Sequence, residues 1–255
     1  MLKHVQIITC VITLSACAEY QGSKFDNPRI DCGDYATTVP NNLPIPVKAE
    51  GAWAIMGSSS AFGAGASSYS ESWAGQLTDK LGQHGVAVEN TSKGGYTTYH
   101  ALPASCDVPF YRKQPDPEHN LDKALSYEPR VVVMSYPSND AASGYTAREA
   151  AANVLLMRQK LADKNIPLVV ISAQPRPLSA DGQEALLGFD TLLNEAMGPC
   201  FVNVYDKLHG TDGKLVPEYD HDTVHVTNAG HDVIYQALAE TINSKQCIAV
   251  NGVEL

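Results

Sequence analysis

Residues 130–173 read RVVVMSYPSNDAASGYTAREAAANVLLMRQKLADKNIPLVVISA. The two ends, VVVM and PLVVIS, are continuous apolar runs rather than alternating ones, as in strands buried on both faces. Between them lies TAREAAANVLLMRQKLADKN, where Thr146 and Glu149 make a capping box and Ala150, Val154, Leu155, Met157 and Leu161 make one apolar face. Strand, amphipathic helix and strand in that order build a parallel sheet with right-handed crossovers.

The same alternation extends in both directions. Strand-like runs occur at Ala52 to Met56, Val86 to Asn90, Arg130 to Tyr136, Pro167 to Ala173 and Phe201 to Tyr205. Helix-like runs occur at Ser70 to Leu81, Asn120 to Leu125, Thr146 to Asp163, Asp181 to Met197 and Asn228 to Asn243. The expectation is an α/β fold with helices on both faces of a mostly parallel, about five-stranded sheet, and with its site at the carboxyl ends of the strands. No internal repeat is visible.

GSSSAFGAG, residues 57–65, follows the first strand and precedes a helix, so it falls at that edge. A run of Gly and Ser is by itself usually a loop. It has neither the GxxxxGK[ST] of a phosphate-binding loop nor a GxGxxG at its proper spacing, and Gly57-Ser58-Ser59-Ser60-Ala61 lacks the second glycine of a GxSxG elbow.

Taken with three later segments, the run resembles the SGNH, or GDSL, hydrolases. Gly57-Ser58-Ser59-Ser60-Ala61-Phe62-Gly63 is similar to the family's first block and puts the nucleophile at Ser59. Asn90 to Thr98 resembles the glycine block, with Gly95 at the oxyanion position, and Tyr136-Pro137-Ser138-Asn139-Asp140 resembles the Gly-x-Asn-Asp block and supplies Asn139. Asp222-Thr223-Val224-His225, followed by Asn228-Ala229-Gly230-His231, resembles the Asp-x-x-His block. The four keep the family's order and cover most of the chain from residue 51. The resemblance implies a three-layer α/β/α, flavodoxin-like serine esterase that needs no cofactor and no metal. Ser58 stands where the family usually has Asp, and Pro137 where it usually has Gly.

The residue types suit that chemistry. A serine hydroxyl needs a base to take its proton during attack, and an imidazole is partly neutral at pH 7 yet able to become a cation. Asp222 can hold the other ring nitrogen of His225. By the resemblance, the backbone N–H of Ser59, the backbone N–H of Gly95 and the side-chain amide of Asn139 face the oxyanion, and losing one such donor costs roughly 3 to 4 kcal/mol. Asp220, His221, Asp222, His225 and His231 also form a group of metal-ligating types, but an aspartate behind a catalytic histidine is a poor independent ligand. His84, His100 and His119 read as surface or packing residues, and Asp140 as a loop-ordering one. In Gln174-Pro175-Arg176-Pro177, Arg176 lies at the same edge, where it either touches substrate or belongs to a proline-stiffened turn.

The start of the chain, MLKHVQIITCVITLSAC, has an apolar stretch much shorter than the roughly 20 residues of a spanning helix and reads as a secretory signal. Leu14-Ser15-Ala16-Cys17 resembles the bacterial lipobox, which implies cleavage before Cys17, a lipid on it, and a cell-envelope location; Ala18 favours the outer membrane. The organisation expected is a lipoprotein signal at 1–16, a tether and irregular extension at 17–50, and the hydrolase domain at 51–255. A formal net charge of −10 argues against nucleic acid as a partner.

Of six cysteines, Cys10 falls in the signal and Cys17 carries the lipid, leaving Cys32, Cys106, Cys200 and Cys247. An even number in an exported protein suggests two disulfides, with three possible connectivities. The last helix starts near the catalytic edge and runs antiparallel to the strands, bringing Cys247 to the opposite edge where Cys200 begins the fifth strand. Cys200–Cys247 is therefore the expected pair, with Cys32–Cys106 following by elimination.

YDHDTVHVTNAGHDVIY and SAQPRP look most like members near the carbohydrate acetylesterases, which implies a short acyl group on a glycan as substrate. A lysophospholipase or thioesterase, or a glycan-binding lipoprotein without activity, are the alternatives.

Overall fold

A computed structural model describes residues 30–32, 43–48, 50–250 and 252–255. The signal segment 1–16, Cys17 and most of the 17–50 extension lie outside the described residues. The strands are β1 (Ile45–Val47), β2 (Ala52–Gly57), β3 (Ala87–Asn90), β4 (Pro129–Ser135), β5 (Leu168–Ile171), β6 (Phe201–Val202) and β7 (Ile248–Val250). The helices are α1 (Ser59–Phe62), α2 (Trp73–Gly82), α3 (Thr98–Ala101), α4 (Leu121–Leu125), α5 (Pro137–Ala142), α6 (Ala147–Ala162), α7 (Ala180–Met197), α8 (Tyr205–Leu208) and α9 (Asn228–Asn243).

The main sheet has the order β3-β2-β4-β5-β6 and is parallel throughout. Its apolar runs are buried as their continuity requires: Trp53 to Met56 and Val131 to Met134 are each at most 1 % exposed. Helices α6 and α7 pack together, as do α2 and α9. The chain steps from β2 to β3 in one direction and from β4 through β5 to β6 in the other. Right-handed crossovers therefore put these pairs on opposite faces, giving three layers. The reversal occurs beside β2, so a crevice opens at its carboxyl end.

The Thr146–Glu149 capping box forms at α6. The Glu149 carboxylate also accepts from the Tyr99 hydroxyl and from Arg112 Nε, tying the start of α6 to the segment after β3.

Some boundaries differ from the sequence reading for local reasons. The helix expected from Ser70 begins at Trp73, because Ser72 caps it by accepting from Gly75 N–H at 3.0 Å. The strand expected over Phe201 to Tyr205 stops at Val202, because Ser172 Oγ takes the Val204 and Tyr205 N–H groups at 2.8 and 3.2 Å and turns the chain into α8. The 17–50 extension is not wholly irregular: β1 pairs in parallel with β7, and Val47 and Cys32 are buried in the core. Disulfides join Cys32 to Cys106 and Cys200 to Cys247, the pairs expected.

Candidate active site

Of the three successive serines after β2, two face inward. Ser58 and Ser60 are 5 % and 7 % exposed, and Ser60 Oγ accepts from Trp73 Nε1 at 3.3 Å. Ser58 N–H donates to the Ser135 carbonyl at 3.0 Å, so the turn out of β2 is pinned to the end of β4 where the family usually places an aspartate. Ser59, at the first position of α1, is half-buried and lies 2.9 Å from His225 Nε2.

The other ring nitrogen, Nδ1, is 2.8 Å from Asp222 Oδ2. Asp222 Oδ1 accepts the backbone N–H of His225 at 2.8 Å and of Val224 at 3.1 Å. Burial raises the Asp222 carboxyl, but the His225 ring and these two N–H groups outweigh it and hold the carboxyl down at about 2. Asp222 is thus held in its charged form, with 46 % of its side chain exposed.

Several residues to which the sequence reading gave no such role hold this loop. Gln174, at the end of β5, donates from Nε2 to the Val224 carbonyl. Asp220 Oδ1 accepts from Thr223 N–H at 2.6 Å, and Thr227 caps α9 by accepting from Gly230 N–H. His231 is fully buried, with Nε2 3.0 Å from the Ala64 carbonyl and Nδ1 accepting from Trp73 N–H at 3.4 Å. Both its nitrogens are occupied by protein, so it ties α9 to the loop after Ser59 and has no lone pair for a metal. Among the described residues no three His, Cys, Asp or Glu side chains group as metal ligands. Only the chemistry of the Gln174 side chain, a donor beside a strand end, hinted at such a role; its partner lies 50 residues away.

Gly94 and Gly95 turn past Ser59: a Cβ built on Gly94 would lie 3.8 Å from Ser59 Cβ. Gly95 has φ of +79°, the left-handed region that favours glycine, while a Cβ on it would meet nothing within 4 Å. The turn calls for glycine there, and the space beside its Cα is open. Asn139, in the first turns of α5 behind Pro137, donates from Nδ2 to the Tyr96 carbonyl at 3.0 Å and accepts on Oδ1 from Arg176 Nη1 at 3.1 Å.

Asp140 has the loop-ordering place expected. It is buried and accepts from Thr98 N–H and, at 2.6 Å, from Thr98 Oγ1. Burial pushes its carboxyl up to about 7, against those hydrogen bonds. His100 stacks on Tyr96 with ring centroids 4.1 Å apart, and His119 Nδ1 contacts the Thr91 carbonyl, so both are packing residues.

The structure therefore brings Ser59, His225 and Asp222 into one hydrogen-bonded chain, with the Gly94–Gly95 turn beside Ser59 and Asn139 anchored to the next residue of that turn, Tyr96. A hydroxyl on an imidazole whose far side is held by a carboxylate is an arrangement able to attack a carbonyl.

Solved structures with this fold include a GDSL-like lipase from Bacteroides thetaiotaomicron, 19 % identical over 76 % of this chain and 88 % of that one, with a TM-score of 0.52. The psychrotrophic esterase EstA from a Pseudoalteromonas species is 18 % identical over 76 % of this chain and 98 % of that one, with a TM-score of 0.50. A variant of Axe2, an acetyl-xylooligosaccharide esterase from Geobacillus stearmophilus, is 13 % identical over 77 % of this chain and 95 % of that one, with a TM-score of 0.57. No curated protein matches the chain. Residues 55–233 match the model of the GDSL-like Lipase/Acylhydrolase family, a span that contains all four blocks. By that match the chain is a member of the GDSL-like Lipase/Acylhydrolase family and a hydrolase of ester bonds.

Proposed function

We propose that the protein cleaves a short acyl ester, preferably O-acetyl, from a carbohydrate through an acyl-serine intermediate. Ser59 Oγ attacks the acyl carbon while His225 Nε2 takes its proton. The carbonyl oxygen becomes an oxyanion facing the N–H groups of Ser59 and Gly95 and Asn139 Nδ2, and collapse of the adduct expels the alcohol with the proton from His225. Water, deprotonated by the same imidazole, then attacks the acyl carbon and releases the acid and free Ser59. The observation that carries this reading is the 2.9 Å contact between Ser59 Oγ and His225 Nε2.

Two observations favour a sugar as the alcohol. YDHDTVHVTNAGHDVIY and SAQPRP resemble carbohydrate acetylesterases, and a fold neighbour is an acetyl-xylooligosaccharide esterase. Hydrolysis of p-nitrophenyl acetate that is lost in Ser59→Ala and kept in Ser58→Ala and Ser60→Ala is expected, with an organophosphonate labelling the Ser59 peptide alone. Full activity in Ser59→Ala overturns the mechanism. Faster turnover of lysophospholipids or long-chain acyl thioesters than of acetylated oligosaccharides overturns the substrate class, and glycan binding without turnover favours a non-catalytic role.

The reading includes export and a lipid on Cys17, supported by the resemblance of Leu14-Ser15-Ala16-Cys17 to a lipobox. Labelled palmitate should mark the wild type in the membrane fraction and not Cys17→Ser. A soluble, unlabelled wild type refutes the anchor.

A further inference from the structure

We propose that Arg176 is a positioning residue that fixes the side-chain amide of Asn139 with Nδ2 turned toward the oxyanion. The inference rests on the acyl-transfer reading above, in which Asn139 donates to that oxyanion.

The two neighbours of the amide differ in kind. The Tyr96 carbonyl can only accept a hydrogen bond, and it lies 3.0 Å from Nδ2. The Arg176 guanidinium can only donate, and its Nη1 lies 3.1 Å from Oδ1. Rotating the amide by half a turn would set oxygen against the carbonyl and NH₂ against the guanidinium, losing both bonds. One orientation therefore satisfies the site, and in it Tyr96 takes one Nδ2 hydrogen and leaves the other for the substrate oxygen. A neutral partner such as glutamine could itself rotate and would not fix the choice; an arginine side chain never becomes an acceptor. The cation also polarises the amide, making Nδ2–H the better donor.

Arg176 is itself constrained. It stands between Pro175 and Pro177, its carbonyl accepts from Gln183 Nε2, and no described carboxylate forms an ion pair with it. Its side chain is half-buried, at the carboxyl edge of β5 next to the one carrying Asn139. The sequence left open whether Arg176 touches substrate; the contact the structure gives its guanidinium is Asn139 Oδ1.

A double-mutant cycle on the full chain with p-nitrophenyl acetate tests this. Arg176→Gln is expected to lower kcat by about 10- to 100-fold, less than the 10²–10³-fold typical of deleting an oxyanion donor, with KM nearly unchanged. Arg176→Lys should recover part of the loss. In an Asn139→Ala background, Arg176→Gln should cost almost nothing more. Losses that multiply, together with a raised KM, overturn the proposal and make Arg176 a substrate contact. The Asn139 side-chain NH₂ resonances give a readout independent of turnover. Their exchange with water should be slow in the wild type and accelerate in Arg176→Gln, and unchanged exchange overturns the proposal. If the wild type does not turn over the ester, the functional reading fails while these resonances still decide the positioning.

Discussion

A Cβ built on Gly65 would stand 2.2 Å from the Val226 carbonyl oxygen and 3.0 Å from His225 Cβ. The loop that follows Ser59 and the segment that carries His225 are thus packed backbone against backbone, and Gly65 adopts φ of +93° to allow it. Any side chain at 65 forces the segment that carries Ser59 and the one that carries His225 apart, and a displacement near 1 Å can cost about 10²-fold in rate. Gly65→Ala is expected to lower kcat on p-nitrophenyl acetate by about that factor and to leave a folded protein. Wild-type kcat in this variant would mean that the two loops separate without consequence.

His231 links pH to stability. Burial lowers its pKa to about 4, and the Ala64 carbonyl, which favours the protonated ring, offsets only part of this. Unfolded, the ring takes up a proton near pH 6.5. Between pH 6.5 and 4 the unfolded chain binds more protons than the folded one, so this contribution is complete above pH 6.5 and is lost as pH falls toward 4. It amounts to about 3 kcal/mol. Asp140 and Asp190, both pushed up to about 7 by burial, act with the opposite sign, so the effect is read as a difference. The gap in thermal stability between wild type and His231→Gln should be widest near pH 7 and shrink steadily down to pH 4. A constant gap would show that His231 is not held neutral.

The parts of the site that the sequence made legible are those written in short local patterns. VVVM and PLVVIS announced buried parallel strands, Thr146 and Glu149 announced a helix start, and Asp222 and His225 lie within one turn of chain. What stayed hidden depends on contacts between distant segments. Gln174 reaches Val224, His231 reaches Ala64, and Gly65 is needed only because Val226 lies against it. The strand Ile45–Val47 is three residues long with Pro46 at its centre, and only its pairing with Ile248–Val250 makes it a strand. Ser172 shortened the strand at Phe201 for the same reason, by supplying two hydrogen bonds that a strand partner would otherwise have made.

Cys200–Cys247 joins the start of β6 to the end of the chain segment after α9, across 47 residues of sequence. In the chain-entropy model a loop of that length stabilises by about 4 kcal/mol. Replacing both cysteines with alanine is expected to lower Tm by roughly 8–16 °C for a domain of this size. The bond lies at the far edge of the sheet from Ser59, so kcat at 25 °C should remain close to wild type. A loss of kcat with unchanged Tm would contradict that placement.

Asp222→Asn should be more damaging than Asp222→Ala. In the wild type Oδ1 accepts two backbone N–H groups, from Val224 and His225, while Oδ2 accepts from the His225 ring. Asparagine has one acceptor oxygen, and the two fixed N–H groups will claim it. Its NH₂ then faces Nδ1, which must become the acceptor, so the ring proton moves to Nε2. In that tautomer the imidazole cannot take the proton of Ser59, and the expected loss is about 10⁴ in kcat. Alanine imposes no tautomer, and since the Asp222 side chain is 46 % exposed, water can reach Nδ1 and accept from it. A smaller loss is expected there, and one smaller than for His225→Ala. Both variants should keep KM near the wild-type value. If Asp222→Ala proves the slower of the two, the backbone N–H groups do not fix the carboxylate as the geometry implies.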